Sequence, residues 1–205
     1  LIFDENITGC RFSKGGAQEL FDVIPDISVF GKGLGNGFPI SAIVGKSKFM
    51  NVMEDIFFSG TFGGETASLA AAKSVLEMIR DDDVIEQIQN TGEKILTGVK
   101  KLLLKHKANE FIEITGHPSW TILTIKDTAN FTSWEIRTLF LQEMFRRGIL
   151  ITGSHNVSYS HSEEDIDKLL SVYNEVFPLI VNAISNKTLF DLLEAEVLIP
   201  LFKIR

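Results

Sequence analysis

Short apolar runs broken by glycine-bearing turns fill the first third of the chain, and longer segments with helical spacing fill most of the rest. Residues 1–5, Ile27-Ser28-Val29-Phe30 and Ile40-Ser41-Ala42-Ile43-Val44-Gly45 predict short buried strands of a mostly parallel sheet. Gly15-Gly16 followed by Ala17-Gln18-Glu19-Leu20-Phe21 predicts a turn and a short helix, and strands alternating with helices at this spacing indicate an α/β fold. From Gly64 the period changes: Ala67, Leu69, Ala70, Ala71, Val75, Leu76 and Ile79 recur as on one helix. Asp81-Asp82-Asp83 interrupts it and caps a second helix, from Val84 to Lys105, whose stripe is Ile85, Ile88, Ile95, Val99, Leu102 and Leu103. Residues 111–126 read as strand, turn and strand. A helix from Ser133 to Arg147 stops at Gly148, Ile149-Leu150-Ile151 reads as a strand, and a closing helix starts after Ser162 with acids in its first turn. Beyond Asn186 the apolar residues Leu189, Phe190, Leu193, Val197 and Phe202 form a tail in which Pro200 limits any helix.

Composition narrows the class. An apolar content of 44% over 205 residues can bury a sizeable core. A net charge of −7, from 27 acids against 20 bases, argues against a nucleic-acid partner. No run reaches the ~18 apolar residues of a membrane span. A single cysteine, Cys10, rules out an intrachain disulfide and fits a reducing, cytoplasmic setting, with a buried inert thiol as the plainest reading. His106, His117, His155 and His161 lack metal-ligand spacing, so structural or surface roles are expected and no metal site is read.

The candidate chemistry sits at positions 4, 32 and 61. Asp4 ends the first strand, where α/β folds place ligand-facing groups. Lys32 stands between Gly31 and Gly33 in Phe30-Gly31-Lys32-Gly33-Leu34-Gly35-Asn36-Gly37-Phe38-Pro39, where glycines leave an amine unobstructed beside a flat molecule. Thr61 lies in Ser59-Gly60-Thr61-Phe62-Gly63-Gly64, a turn before a helix that suits an anion. Two nucleotide motifs fail by spacing. Gly45-Lys46-Ser47 could end a P-loop, but Ile40 occupies the position of its first glycine. A dinucleotide fingerprint begun at Gly31, Gly33 or Gly35 would need its third glycine at Asn36, Phe38 or Ile40. An acid, an amine and an anion-binding turn are instead the parts of a pyridoxal 5'-phosphate site, where the lysine forms a Schiff base and the carboxylate keeps the pyridine nitrogen protonated.

Leu1-Ile2-Phe3-Asp4-Glu5-Asn6-Ile7-Thr8-Gly9-Cys10-Arg11-Phe12, Pro25 through Ile40, Ser59-Gly60-Thr61-Phe62 and Tyr159-Ser160-His161-Ser162-Glu163-Glu164-Asp165-Ile166 occur in one order. Together they resemble the class III pyridoxal phosphate-dependent aminotransferases, within them the glutamate-1-semialdehyde 2,1-aminomutase-like branch. The resemblance implies the C-terminal half of a fold type I transferase. Residues 1–63 would then be part of the large cofactor-binding α/β domain, 64–106 connecting helices, and 107–184 a small α+β domain, with 185–205 a tail of no assigned role. It implies Lys32 as the Schiff-base lysine, Asp4 on the pyridine nitrogen, and Thr61 on the cofactor phosphate of a neighbouring subunit in a homodimer with shared sites. Asn6 departs from the small apolar residue usual in the family, and Glu65 from the usual asparagine.

Amino-group transfer between amino and carbonyl carbons of a small-molecule substrate is the activity this resemblance implies, and the cofactor motifs do not separate transamination from aminomutation. The family's first half, with its phosphate turn and ring-stacking residue, has no counterpart in these residues, so the chain is expected to be a fragment. The alternatives are a catalytically inactive remnant that keeps fold and dimer surface, or a chain completed by a separate partner.

Overall fold

A computed structural model describes residues 1–200 of the chain; the apolar tail position Phe202 lies outside the described residues. The chain divides into two compact units, Leu1–Gln89 and the part from Asn90 onward.

In the first unit, β1 (Ile2–Asp4), β2 (Ile27–Phe30) and β3 (Ala42–Gly45) form one sheet in the order β1-β2-β3. β1 runs parallel to β2, with Ile2 opposite Ile27 and Asp4 opposite Val29, through a crossover that contains the short helix α1 (Ala17–Leu20). β3 returns antiparallel, with Phe30 opposite Ala42 and Ile27 opposite Gly45. The expected parallel pairing thus holds for β1–β2, whereas the β2–β3 link is a glycine-rich loop with no crossover helix, and a direct return of that kind gives an antiparallel partner.

The strands are also less buried than their apolar runs suggest. Leu1 and Ile2 on one edge strand, and Ile43 and Val44 on the other, are exposed, while Ser28 at the centre is buried. Helix α2 (Ser47–Met50) follows β3, and α3 (Thr66–Asp81) follows the Ser59–Gly64 turn region. α3 buries Ser68, Ala72 and Ile79 and matches the predicted span.

Helix α4 (Val84–Lys105) carries the chain across the boundary between units. Beyond it, β4 (Ile112–His117) and β5 (Trp120–Ile125) form a hairpin around Pro118-Ser119, and β6 (Ser154–Asn156) pairs antiparallel with β5. Gly92 of α4 lets the hairpin turn approach: a Cβ there would lie 2.0 Å from the Pro118 carbonyl oxygen. Helices α5 (Ser133–Arg146) and α6 (Glu163–Ser185) each open with a reciprocal capping box, Thr132 with Glu135 and Ser162 with Asp165. Their inner faces bury Ile136, Leu139, Phe140 and Met144 against Tyr173, Val176, Phe177 and Ile180, with Tyr173 stacked on Phe177 at a centroid distance of 5.0 Å.

The strand expected at Ile149–Ile151 is not formed; the sheet takes Ser154–Asn156 instead. The Ile149 amide still bonds the Met144 carbonyl of the α5 terminus (3.0 Å), and Leu150 is exposed. Pairing begins only after Gly153 turns through φ +102°, with its carbonyl accepting from the Leu123 amide at 2.8 Å. The tail forms α7 (Leu189–Leu192), buries Leu189, and lies along α5, where Gln142 bonds both the Leu192 carbonyl (2.9 Å) and the Glu194 amide (2.8 Å). No helix of the described residues is long and apolar enough to cross a membrane.

Candidate active site

The parallel register of β1 and β2 brings their carboxyl ends side by side. Asp4 closes β1, and Lys32 follows β2 by two residues, at the start of a 3-10 turn over Lys32–Leu34. Asn6 stands between them. Its backbone amide and its side-chain Nδ2 both donate to Asp4 Oδ1, at 3.0 and 2.7 Å. A Cβ on Gly31 would come 2.3 Å from Asn6 Oδ1, so only glycine fits there without a shift.

Lys32 itself has φ +46°, a conformation that costs a side-chain-bearing residue on the order of 1 kcal/mol and recurs at functional sites. Its side chain is exposed. The Asp4 carboxyl is held below the usual carboxylate range, first by the Asn6 backbone amide, then by the Asn6 side-chain amide, and last by the charge of Lys32. Both Asn6 donors go to Oδ1, which leaves Oδ2 open to a further donor.

Thr61 is not gathered into this group among the described residues. It lies exposed in the Thr61–Gly64 turn ahead of α3, where Gly60 and Gly64 have open space around the position a Cβ would take. The unusual Glu65 has a local explanation. It is the N-cap of α3, accepting from the amides of Ala67 (2.8 Å) and Ser68 (2.7 Å) and from Ser68 Oγ (2.5 Å), which lowers its own pKa.

A residue that sequence reasoning passed over supports the site from beneath. Glu5 is buried, with 1% exposure. It accepts from Thr8 Oγ1 and from the amides of Ala17 (3.0 Å) and Gln18 (3.1 Å), while its own amide donates to the Val29 carbonyl (2.8 Å). Gly16, at φ +79°, passes directly over this carboxylate, where a Cβ would sit 2.8 Å from Oε1. Strand alternation was the available signal, because two consecutive acids at a strand end must face opposite sides. The Cys10 thiol is pushed up by burial and then by the Glu5 charge, which fits the inert reading.

The four histidines belong to the second unit, where each has a local partner. His155 is buried, with Nδ1 2.7 Å from Thr121 Oγ1 and Nε2 2.7 Å from Tyr173 Oη. His117 Nδ1 lies 2.8 Å from Ser119 Oγ, His106 Nε2 lies 2.9 Å from Asn174 Oδ1, and His161 Nδ1 accepts from the Ser158 amide.

The strand-end acid and the glycine-flanked lysine lie at the carboxyl ends of parallel strands, the place where open α/β sheets bind their ligands. Solved structures with this fold include the FumI protein of Sphingopyxis sp. MTA144 in its PLP internal aldimine form (TM-score 0.80, 23% identity, 90% of this chain and 44% of that one). An omega-transaminase from Sphaerobacter thermophilus matches with a TM-score of 0.78 at 20% identity, over 88% of this chain and 44% of that one. The architecture is therefore part of the fold type I seen in these two structures.

The model of the aminotransferase class-III family matches residues 1–176, and the chain belongs to that family. Among curated relatives, the glutamate-1-semialdehyde 2,1-aminomutase of Methanosphaera stadtmanae is 35% identical over 185 residues, covering 83% of this chain and 43% of that protein. The 3-aminobutyryl-CoA aminotransferase of Cloacimonas acidaminovorans is 33% identical over 169 residues, 81% of this chain and 40% of that protein. The chain spans about two-fifths of the length of these relatives.

Proposed function

We propose that this chain is the lysine-bearing part of a pyridoxal phosphate-dependent aminotransferase or aminomutase acting on a small amino or carbonyl substrate. The observation that carries the reading is the convergence of Asp4 and Lys32 at adjacent strand ends, with Asn6 between them. The donor set fits the cofactor. Lys32 Nζ is an unobstructed amine for its aldehyde, and Asp4 Oδ2 is an open carboxylate oxygen for its protonated ring nitrogen. When bound, the cofactor supplies an electron sink for the bonds at an amine-bearing carbon. Lys32 would hold the cofactor, and its free amine would take the proton from the substrate's amine-bearing carbon. Asp4 would keep the ring nitrogen charged. All the proposed cofactor-binding residues, Asp4, Asn6, Lys32 and Thr61, fall within residues 1–63, the segment assigned to the cofactor domain.

Thr61 is assigned to the phosphate of a second copy in a homodimer. Its exposed turn supports this, as do the open aromatic rings of Phe57, Phe58 and Phe62 around it, a surface of the kind that protein interfaces cover.

The test is capture of pyridoxal 5'-phosphate by the purified full chain. Borohydride treatment followed by peptide mass analysis is expected to fix the cofactor on the peptide containing Lys32, and Lys32→Ala is expected to abolish it. Capture on other lysines, or none in the unsubstituted chain, would overturn the reading for this chain alone and leave the inactive remnant or a chain completed by a separate partner.

A further inference from the structure

We infer that Asn6 is a positioning residue for this site: it engages Asp4 Oδ1 so that Oδ2 alone is presented to a ring nitrogen, and it wedges against the backbone that carries Lys32. The inference rests on the cofactor reading above and deepens it.

Three observations converge on Asn6. Asn6 follows Asp4 by two residues, in the turn that leaves the end of β1. Two donors of one residue meet the same carboxylate oxygen, at 3.0 and 2.7 Å, which fixes both the rotation of the carboxylate and which oxygen is occupied. The remaining amide oxygen points at Gly31, with no room for a Cβ between them. One side chain therefore touches both the acid and the residue preceding the lysine.

An apolar side chain of similar size would fill the space without the Nδ2 donor, leaving the backbone amide as the one donor of residue 6 on Oδ1, so the Asp4 carboxylate would be held by one bond in place of two and could turn more freely. Hydrogen bonds to the charged form also favour ionisation, so Asn6 keeps Asp4 negative over a wider pH range. Lys32 is the charged side chain that acts on Asp4 in the same direction.

The experiment uses the full chain with Asn6→Val, and with Asn6→Ser as a second variant that keeps a short donor. The first readout needs no cofactor. The Asp4 side-chain carbon is followed by carbon-13 NMR during an acid titration, and its midpoint is expected to be highest in Asn6→Val, lowest in the unsubstituted chain, and intermediate in Asn6→Ser. The second compares binding of pyridoxal 5'-phosphate with its 1-deaza analogue, which lacks the ring nitrogen. Asn6→Val is expected to lose on the order of fivefold in the ratio of its affinity for the nitrogen-bearing form to its affinity for the analogue. An unchanged Asp4 midpoint in both variants overturns the role of Asn6. A shifted midpoint with no preference between the two ligands in the unsubstituted chain overturns the pairing of Asp4 with a ring nitrogen instead.

Discussion

From Asn90 onward, Tyr173, Phe140, Phe177, Ile136, Leu139 and Ile180 shut one another away from solvent, whereas in Leu1–Gln89 the one large side chain as fully buried is the carboxylate Glu5. The second region, from Asn90 onward, is a core of interlocked apolar groups between two capped helices and an antiparallel sheet. The first region, Leu1–Gln89, is a thin sheet with exposed edge strands, held at the carboxyl end of β1 by hydrogen bonds to buried or half-buried polar groups. The contrast follows from what each must do. An apolar core rewards volume and tolerates no openings. On the proposed function, a site that offers a lysine and a carboxylate to a flat ligand needs open backbone, glycines and exposed polar tips, and these remove the side chains from which such a core is made.

The sharpest way to break this comparison is to truncate one aromatic in each region. Phe177→Ala is expected to lower stability in urea unfolding by about 3–5 kcal/mol, since it empties a fully enclosed position beside Tyr173. Phe57→Ala, at a side chain that is 96% exposed, should change it by less than about 0.5 kcal/mol. Equal losses would mean that the two regions do not differ in the way their burial indicates.

A second experiment uses pH. Burial lowers the His155 pKa from 6.5 to about 4, and both ring nitrogens are already engaged by Thr121 and Tyr173. The folded value lies below the unfolded one, so between them the unfolded chain binds a proton that the folded chain refuses. The contribution is complete above about pH 6.5 and falls away as the pH drops toward 4, at about 1.4 kcal/mol per pH unit and roughly 3 kcal/mol in all. Stability measured from pH 7 to 4.5 is expected to fall more steeply in the unsubstituted chain than in His155→Gln, because carboxylates elsewhere titrate in both. Parallel curves would show that His155 is not held neutral by the core.

The same contrast explains what was legible in the sequence. α4 follows from its apolar spacing, α5 from its stop at Gly148 and α6 from Ser162 with its acids, because these signals are local. The span of α3 was legible too, but its buried side is Ser68, Ala72 and Ile79, while Leu69 and Leu76 of the apolar pattern are exposed. β6 was missed because Ile149–Ile151 looks more like a strand than Ser154–Asn156, and only the Gly153 turn and its bond to Leu123 decide which segment joins β5. Asp4 and Lys32 stood out because strand ends and glycine runs mark ligand-facing groups. Glu5 did not, since its partners Ala17 and Gln18 are contributed by a helix that becomes adjacent only on folding. The exposure of Ile2 and Val44 was hidden too, because apolar spacing tells which residues could be buried and not what lies over them.

The smallest expected effect gives the finest test, because it asks whether a carboxylate does for the first region what aromatics do for the second. Glu5→Ala removes the acceptor for Thr8 Oγ1 and for the Ala17 and Gln18 amides, leaving α1 tied to the sheet end without its buried anchor. The loss is expected to be about 2 kcal/mol, the scale of stranding a buried donor. Glu5→Gln, which keeps an acceptor oxygen, should lose less. Hydrogen exchange separates this from a general loosening. The Ala17 and Gln18 amides are expected to exchange faster in Glu5→Ala, while amides of the Tyr173–Ile180 segment keep their protection. If all of these amides lose protection together, Glu5 supports the whole chain rather than one sheet end. If none changes, the bonds to α1 are replaced by water at no cost, and the polar anchoring of the first region loses its main support.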